Sequence, residues 1–218
     1  MPTPEETNHH YQQKALRYAR AVTWIFGADV DTTTKERWAQ AIELGRRIDS
    51  YIDNMPYWQA QTRIADIHAA LDKPTMADIW CPALTQEALG AKKYLQMVAL
   101  GHVILDLNAQ YKPTTNVSDY IRLRRYEGRI YGRIIHTVAT PTVESRPNYA
   151  HFAASLETVG EVANLTNSIH GIYGDFSRRE IALRPTPLVA ARLAAAAVQS
   201  ARPLPGQLLH SAILQTTP

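Results

Sequence analysis

Hydrophobic residues return every three or four positions along most of this chain, and in few segments every second one. A period near 3.6 lines one face of a helix with apolar side chains; a period of two would line one face of a strand. The turn signals that punctuate sheet proteins are also missing between the apolar runs. The pattern predicts an all-α protein in which each helix buries one stripe against its neighbours.

The spacing predicts a loose tail over 1–7 and a helix over 8–26, with Ala15, Leu16, Ala19, Val22 and Ile25 on one face. A second helix follows Thr32 to Thr34, the candidate caps. It carries Trp38, Ala41, Ile42, Ile48 and Ile52 and ends near the Asn-Met-Pro of 54–56. Further helices are expected over 58–71, 86–108, 120–138 (capped at Ser118) and 149–175, with "DKPT", "WCPALT", "YKPTTNVSDY" and "ATPTVESRP" between them. An alanine-rich helix follows "LRPTP", and 203–218 reads as an irregular end. No internal repeat is present, so 1–218 reads as one all-α domain of seven or eight helices.

The 218 residues are 45% hydrophobic and 20% charged, enough for a buried core. A net charge of +3 permits attraction to phosphate or an anionic surface without requiring it. The single cysteine, Cys81, excludes an intrachain disulfide and suits a reducing cytoplasm. No signal peptide is evident. The apolar run "LVAARLAAAAV" is too short to span a bilayer, which leaves peripheral membrane contact open.

Two polar patterns sit inside these apolar helices. "GRRIDSYIDN", 45–54, places Asp49 and Asp53 one turn apart on the same face. Like charges at that spacing repel, more so when desolvated, and a divalent cation removes the cost. Mg²⁺ prefers oxygen ligands and commonly joins one or two carboxylates to substrate phosphates. In "VGEVANLTNSIHGIYGDFSRREIALRP", 159–185, Asn164, Asn167, Gly171 and Asp175 recur at spacings of three and four. Arg178 and Arg179 follow on the next turn, where cations can meet a phosphate. Taken singly, each pattern is also what a solvated helix face looks like, with Arg46 or Arg47 screening the first pair.

Together the two stretches resemble the squalene/phytoene synthase family. "GRRIDSYIDN" is similar to that family's first aspartate-rich motif, roughly C-R-x-x-D-D-x-x-D. "NLTNSIHGIYGDFSRREIALRP" is similar to its second, roughly Q-L-T-N-I-L-R-D-x-x-E-D-x-x-x-x-R-I-Y-L-P. Between them, "VILDLNAQYKPTTNVSDYIRLRRYEGRIYGRII" resembles the segment ending in Y-C-Y-R-V-A-G-x-V-G, with Asp106 at an aspartate of the pattern. The resemblance runs from about 16 to 185.

It implies the all-α isoprenoid synthase fold, a helical bundle around a central apolar cavity. There Mg²⁺ bridges carboxylates on two facing helices to a prenyl diphosphate, farnesyl or geranylgeranyl. Carried over, Asp49 and Asp53 match the first and last metal positions of motif one. Asp175 matches the last acidic position of motif two, and Asn167 its asparagine. By the same resemblance Arg46 and Arg125 could grip the diphosphate, beside Arg178 and Arg179, the cations already placed one turn after the polar stripe. Ser50 stands where the family has a second aspartate, Gly171 where motif two has its leading aspartate, and Ala182 where R-I-Y-L-P has tyrosine. Asn167, Gly171 and Asp175 also fit the looser N-x-x-x-(S/T/G)-x-x-x-(E/D) triad of class I terpene synthases. His170, beside the triad, reads first as a hydrogen-bonded helix histidine and second as a phosphate donor.

The expected activity is therefore Mg²⁺-dependent joining of two prenyl diphosphates by a cytoplasmic transferase. Cyclisation of a single prenyl diphosphate is the second expectation. A non-catalytic isoprenoid-binding or partner subunit is the third, with a homodimer or another protein completing the cavity. Nucleic acid is not expected, because the arginines of "RLRRYEGRIYGR" spread around their helix. His9 and His10 lack further ligands at zinc spacing, and no dinucleotide fingerprint occurs.

Overall fold

The computed structural model describes residues 30–71, 81–145 and 149–204. The expected helix over 8–26, the tail before it, the "DKPT" punctuation and the end beyond 204 lie outside these. All regular structure among the described residues is helical. In chain order the elements are α1 (Thr32–Ile52), α2 (Tyr57–Leu71), a 3₁₀ turn (Pro82–Leu84), α3 (Gln86–Leu89), α4 (Ala91–Tyr111), α5 (Val117–Thr137), α6 (Pro141–Glu144), α7 (Tyr149–Ser177) and α8 (Pro187–Ala201).

Local chemistry moves several boundaries from their expected places. The cap of α1 is Asp31, whose carboxylate accepts the Thr34 amide at 2.7 Å, so the threonines lie inside the helix. The cap of α5 is Asn116 rather than Ser118, and its Oδ1 accepts the amides of Ser118 and Asp119. The helix expected over 86–108 is broken at Gly90, which takes φ +80°, a conformation glycine adopts without strain. Periodicity reads across that glycine because the apolar spacing continues on both sides. Within "ATPTVESRP", Pro141 starts a single helical turn, as a proline at the first helical position can.

The core sits chiefly between α4, α5, α7 and α8. Helical spacing on α4 brings Leu100, Ile104 and Leu107 against Leu123 and Ile130 of α5, Leu165 and Ile172 of α7, and Leu193 of α8. A second cluster holds the start of α1: Trp38 is fully buried with Leu84, Val138, Phe152 and Leu156, and its indole N–H donates to the Ile135 carbonyl at 2.8 Å. A third, formed by Ile52, Ile64 and Leu105, ties the end of α1 to α2 and α4.

The most extensive helix contact is between α5 and α7, and glycines make it. Gly128 and Gly132, one turn apart on α5, meet Gly160 and the Leu156 carbonyl of α7. A Cβ on Gly160 would lie 2.1 Å from the Gly128 carbonyl oxygen, and one on Gly132 would lie 2.3 Å from that of Leu156. Backbones this close bring weak C–H···O contacts within range, and hold the polar stripes of both helices in a fixed register. No helix among the described residues is long and apolar enough to cross a membrane.

Candidate functional site

Three helices turn polar stripes toward one cavity. From α1 come Asp49 and the capping residue Asp53. From α5 come Tyr120, Arg124, Glu127 and Tyr131, spaced four, three and four residues apart. From α7 come Asn164, Asn167, Gly171, Asp175 and, just beyond its end, Arg178, spaced three, four, four and three. Tyr111 and Lys112 at the end of α4, with Asn54, Glu180 and Ile181 from the loops, complete a space of about 260 Å³. The spacings are those of one helix face, so the sequence dictates which side chains look inward once the helices are placed.

Two left-handed residues join the motif-bearing segments. Asn54 has φ 61°, a conformation asparagine tolerates, and its amide donates to Glu180 Oε1 at 3.0 Å. Arg179 has the same φ, and its carbonyl accepts the Tyr57 amide at 2.8 Å. The end of α1 is thereby latched to the turn after α7.

Part of the cavity wall is a buried polar network. Arg124 donates to Glu127, to Asn164 Oδ1 at 2.6 Å and to Ser168 Oγ at 2.9 Å. Asn108 Nδ2 donates to Glu127 Oε1 at 2.8 Å, Asn164 Nδ2 to Glu127 Oε2 at 2.9 Å, and the Tyr111 hydroxyl to Asn108 Oδ1 at 2.8 Å. The Arg124 guanidinium also stands 4.6 Å from the Tyr111 ring centroid. Glu127 is only 2% exposed, so its carboxylate depends on these donors for its solvation. Replacing Glu127 by alanine strands Arg124 without its charge partner and is expected to cost about 3–5 kcal/mol. Glutamine keeps one acceptor oxygen for Arg124 and Asn164 but turns its NH2 toward the Asn108 donor, and is expected to cost roughly half as much. Urea unfolding of the two variants checks the ranking.

Charge in the cavity is unbalanced. Five carboxyl groups, those of Asp49, Asp53, Glu127, Asp175 and Glu180, face the three cations Lys112, Arg124 and Arg178. Lys112 Nζ meets Asp53 Oδ1 at 2.8 Å, and Arg178 pairs with Asp175 at 2.8 Å and with Glu180. Asp49 has the Tyr131 hydroxyl at 3.3 Å. Burial, reinforced by the nearby charges of Asp53 and Glu127, pushes the Asp49 carboxyl up to about 7 against the pull of Arg124 and Tyr131. Burial and then Glu180 also raise Asp175, with Arg178 opposing.

A carboxyl raised on folding stabilises the folded state only while protonated. For Asp49 that contribution is complete below about pH 4 and is lost as pH rises through about 7. Three pH units correspond to about 4 kcal/mol, which solvent in the cavity reduces to about 2 kcal/mol. Asp49→Asn is expected to be more stable than wild type at pH 8 by about that amount, with the difference shrinking toward pH 4. Denaturation midpoints of both proteins across this range check the sign.

The cavity brings together Asp49, Asp53, Asn167, Asp175 and Arg178 from the residues singled out in the sequence. It does not include Arg46, which is held by Glu43 at 2.8 Å and 3.0 Å on its own helix. Arg125 also lies elsewhere: its guanidinium meets Glu161 at 2.7 Å and Ser200 at 2.7 Å and 3.0 Å, between α7 and α8. Its neighbour Arg124 is the cavity arginine, a displacement of one residue and hence about 100° around the helix. Arg179 serves the turn through its backbone and lies outside the lining, as do exposed His170 and Asp106. Gly171 lines the cavity, and a Cβ there would come 3.1 Å from Asp175 Oδ2. The missing side chain leaves room for the Asp175 carboxylate to lean back along its helix.

Lys112, Glu127, Glu180 and the three tyrosines were not singled out from sequence. The stripe Tyr120, Arg124, Glu127, Tyr131 carried the signal in its spacing; Lys112 and Glu180 lie in loops, where no periodicity exists. The lining is polar apart from Ile181, the aromatic rings and Gly171, so the described cavity is not the apolar chamber expected.

Among the described residues, no group of three or more His, Cys, Asp and Glu side chains is placed so that it could hold a metal ion. The donor set is nevertheless all oxygen, in excess negative charge and divided between two facing helices. That suits a hard cation such as Mg²⁺, which takes few protein ligands and completes its shell with water and phosphate. No family model matches the chain, and no curated protein and no solved structure matches it.

Proposed function

We propose that this cavity binds the diphosphate of a prenyl diphosphate together with Mg²⁺, and that the protein is an isoprenoid synthase of the squalene/phytoene synthase type. The observation that supports the reading is a meeting of distant segments. Asp49 and Asp53, matched to one motif, and Asn167 and Asp175, matched to the other, line one space although over a hundred residues separate them.

Asp49, Asp53, Asn167 and Asp175 would hold Mg²⁺, which supplies neutralisation of the diphosphate charge. Arg178 reaches over the same space and meets phosphate oxygens as negative charge builds on them. The allylic C–O bond breaks with its electron pair leaving on the diphosphate, and a carbocation remains on the prenyl chain. Tyr111, Tyr120 and Tyr131 line the same space, and aromatic rings there would stabilise positive charge nearby. Capture of the cation by a second prenyl chain gives condensation, the reaction implied by the resemblance.

Capture by a double bond of the same chain gives cyclisation, and the size of the cavity favours keeping that reading. At about 260 Å³ the cavity is smaller than the ~300–1,000 Å³ of sites that enclose a whole drug-sized ligand. It accommodates one head group, and the hydrocarbon must extend beyond it. Incubation of the protein with Mg²⁺ and farnesyl or geranylgeranyl diphosphate, followed by product analysis, tests both versions. A product of doubled carbon count supports condensation, and a single-chain hydrocarbon or alcohol supports cyclisation. Absence of Mg²⁺-dependent diphosphate release at either chain length overturns the enzymatic reading and leaves a non-catalytic isoprenoid-binding or partner subunit.

A further inference from the structure

The cavity contains a cation that the acidic motifs do not explain. Lys112 follows α4 and is 2% exposed, yet its ammonium faces the cavity and bonds Asp53 Oδ1 at 2.8 Å. Its backbone is fixed at both ends: the amide donates to the Asn108 carbonyl and its own carbonyl accepts the Ala182 amide at 2.8 Å. A buried ammonium has three protons to donate, and Asp53 is the carboxylate it meets. Nearby, the stem lies against Tyr111, whose ring centroid is 5.9 Å from Nζ. Asp53 itself remains 39% exposed and so open to a second ligand.

We propose that Lys112 is a tethered counter-cation for the diphosphate, resting on Asp53 until a metal ion takes that carboxylate. This rests on the reading of the cavity as a diphosphate site. The exchange balances charge without moving a proton. Asp53 gives up the ammonium and takes a divalent cation, and the released ammonium takes a phosphate oxygen. Gly171 gives this role its place, since the helix offers no carboxylate there for a further metal ion. A fixed ammonium on the opposite wall supplies positive charge that such an ion would otherwise bring.

The two halves of the exchange pull in opposite directions, which makes the test specific. Mn²⁺ binding, read by electron paramagnetic resonance, and binding of inorganic pyrophosphate without metal, read by calorimetry, are measured on the full chain. Lys112→Met is expected to bind Mn²⁺ about tenfold more tightly, because the ammonium no longer competes for Asp53, and pyrophosphate at least about tenfold more weakly. Asp53→Asn is expected to do the reverse, weakening Mn²⁺ and tightening metal-free pyrophosphate several-fold, because a neutral amide oxygen holds the Lys112 ammonium less strongly than a carboxylate does. A purely structural lysine would weaken both ligands together, and that result, or unchanged pyrophosphate binding in Lys112→Met, overturns the proposal. Should the methionine variant fail to fold, Asp53→Asn decides alone: tighter pyrophosphate binding supports the exchange, and equal or weaker binding overturns it. A wild-type protein that binds neither Mn²⁺ nor pyrophosphate, alone or together, removes the diphosphate reading itself.

Discussion

Gly160→Ala will destabilise the protein by about 3 kcal/mol or more, although alanine is the better helix former. In an exposed helix the same change stabilises by up to about 1 kcal/mol. Here the new methyl group would sit 2.1 Å from the Gly128 carbonyl oxygen, far inside contact distance. The obstacle is backbone, which has no rotamer to change, so α5 and α7 must separate by roughly an ångström along their longest contact. The same separation would pull apart Arg124 and Asn164, which are 2.6 Å apart across the two helices. Gly101→Ala serves as the control. Its new methyl group meets only Leu71 Cδ1, at 3.3 Å, and a leucine tip can move. Gly101→Ala should therefore fall within about 1 kcal/mol of wild type, and chemical denaturation of the two variants checks the contrast.

On the function proposed above, Asp53→Asn is expected to lower kcat/KM for prenyl diphosphate ionisation by about a thousandfold, while the thermal midpoint moves by only a few degrees. A thousandfold corresponds to about 4 kcal/mol, within what a metal ion contributes to charge stabilisation at a departing oxygen. Asparagine is the substitution of choice because alanine would leave buried Lys112 with no acceptor at Asp53 Oδ1. A lysine stranded in that way threatens the fold and confuses lost chemistry with lost structure. With asparagine the hydrogen bond survives and the charge does not. Steady-state release of diphosphate, measured beside a melting curve, separates the two effects.

Much of the helical layout was legible in the spacing of apolar residues, because each long helix buries one stripe. The legible part stopped where backbone conformation, not side-chain pattern, decides. Gly90 ends a helix through a positive φ that leaves no trace in apolar periodicity. Asp31 and Asn116 displaced the expected caps because any of several neighbouring polar residues can fill that role, and only the helix start selects one. The glycine contact between α5 and α7 was written in the sequence as Gly128, Gly132 and Gly160, but which helix they face is a tertiary fact. The site followed the same rule. Asp49, Asp53, Asn167 and Asp175 share helix faces and reach one cavity, whereas Arg125 was one residue from the arginine that does. One residue turns a helix by about 100°, so a motif match at that resolution points a side chain at a different neighbour. Lys112 was invisible for another reason, since a lysine beside a proline in a loop reads as surface until the cavity forms around it.

The central claim is that the two acidic stripes are opposite walls of one metal–diphosphate site. Crystals soaked with Mn²⁺ and a non-hydrolysable prenyl diphosphate analogue test it most directly through anomalous scattering from the metal. The account predicts manganese between the Asp53 side of α1 and Asp175 of α7, with diphosphate oxygens completing its shell beside Lys112 and Arg178. Diphosphate bound outside this cavity, or manganese found only at sites remote from both Asp53 and Asp175, would contradict it.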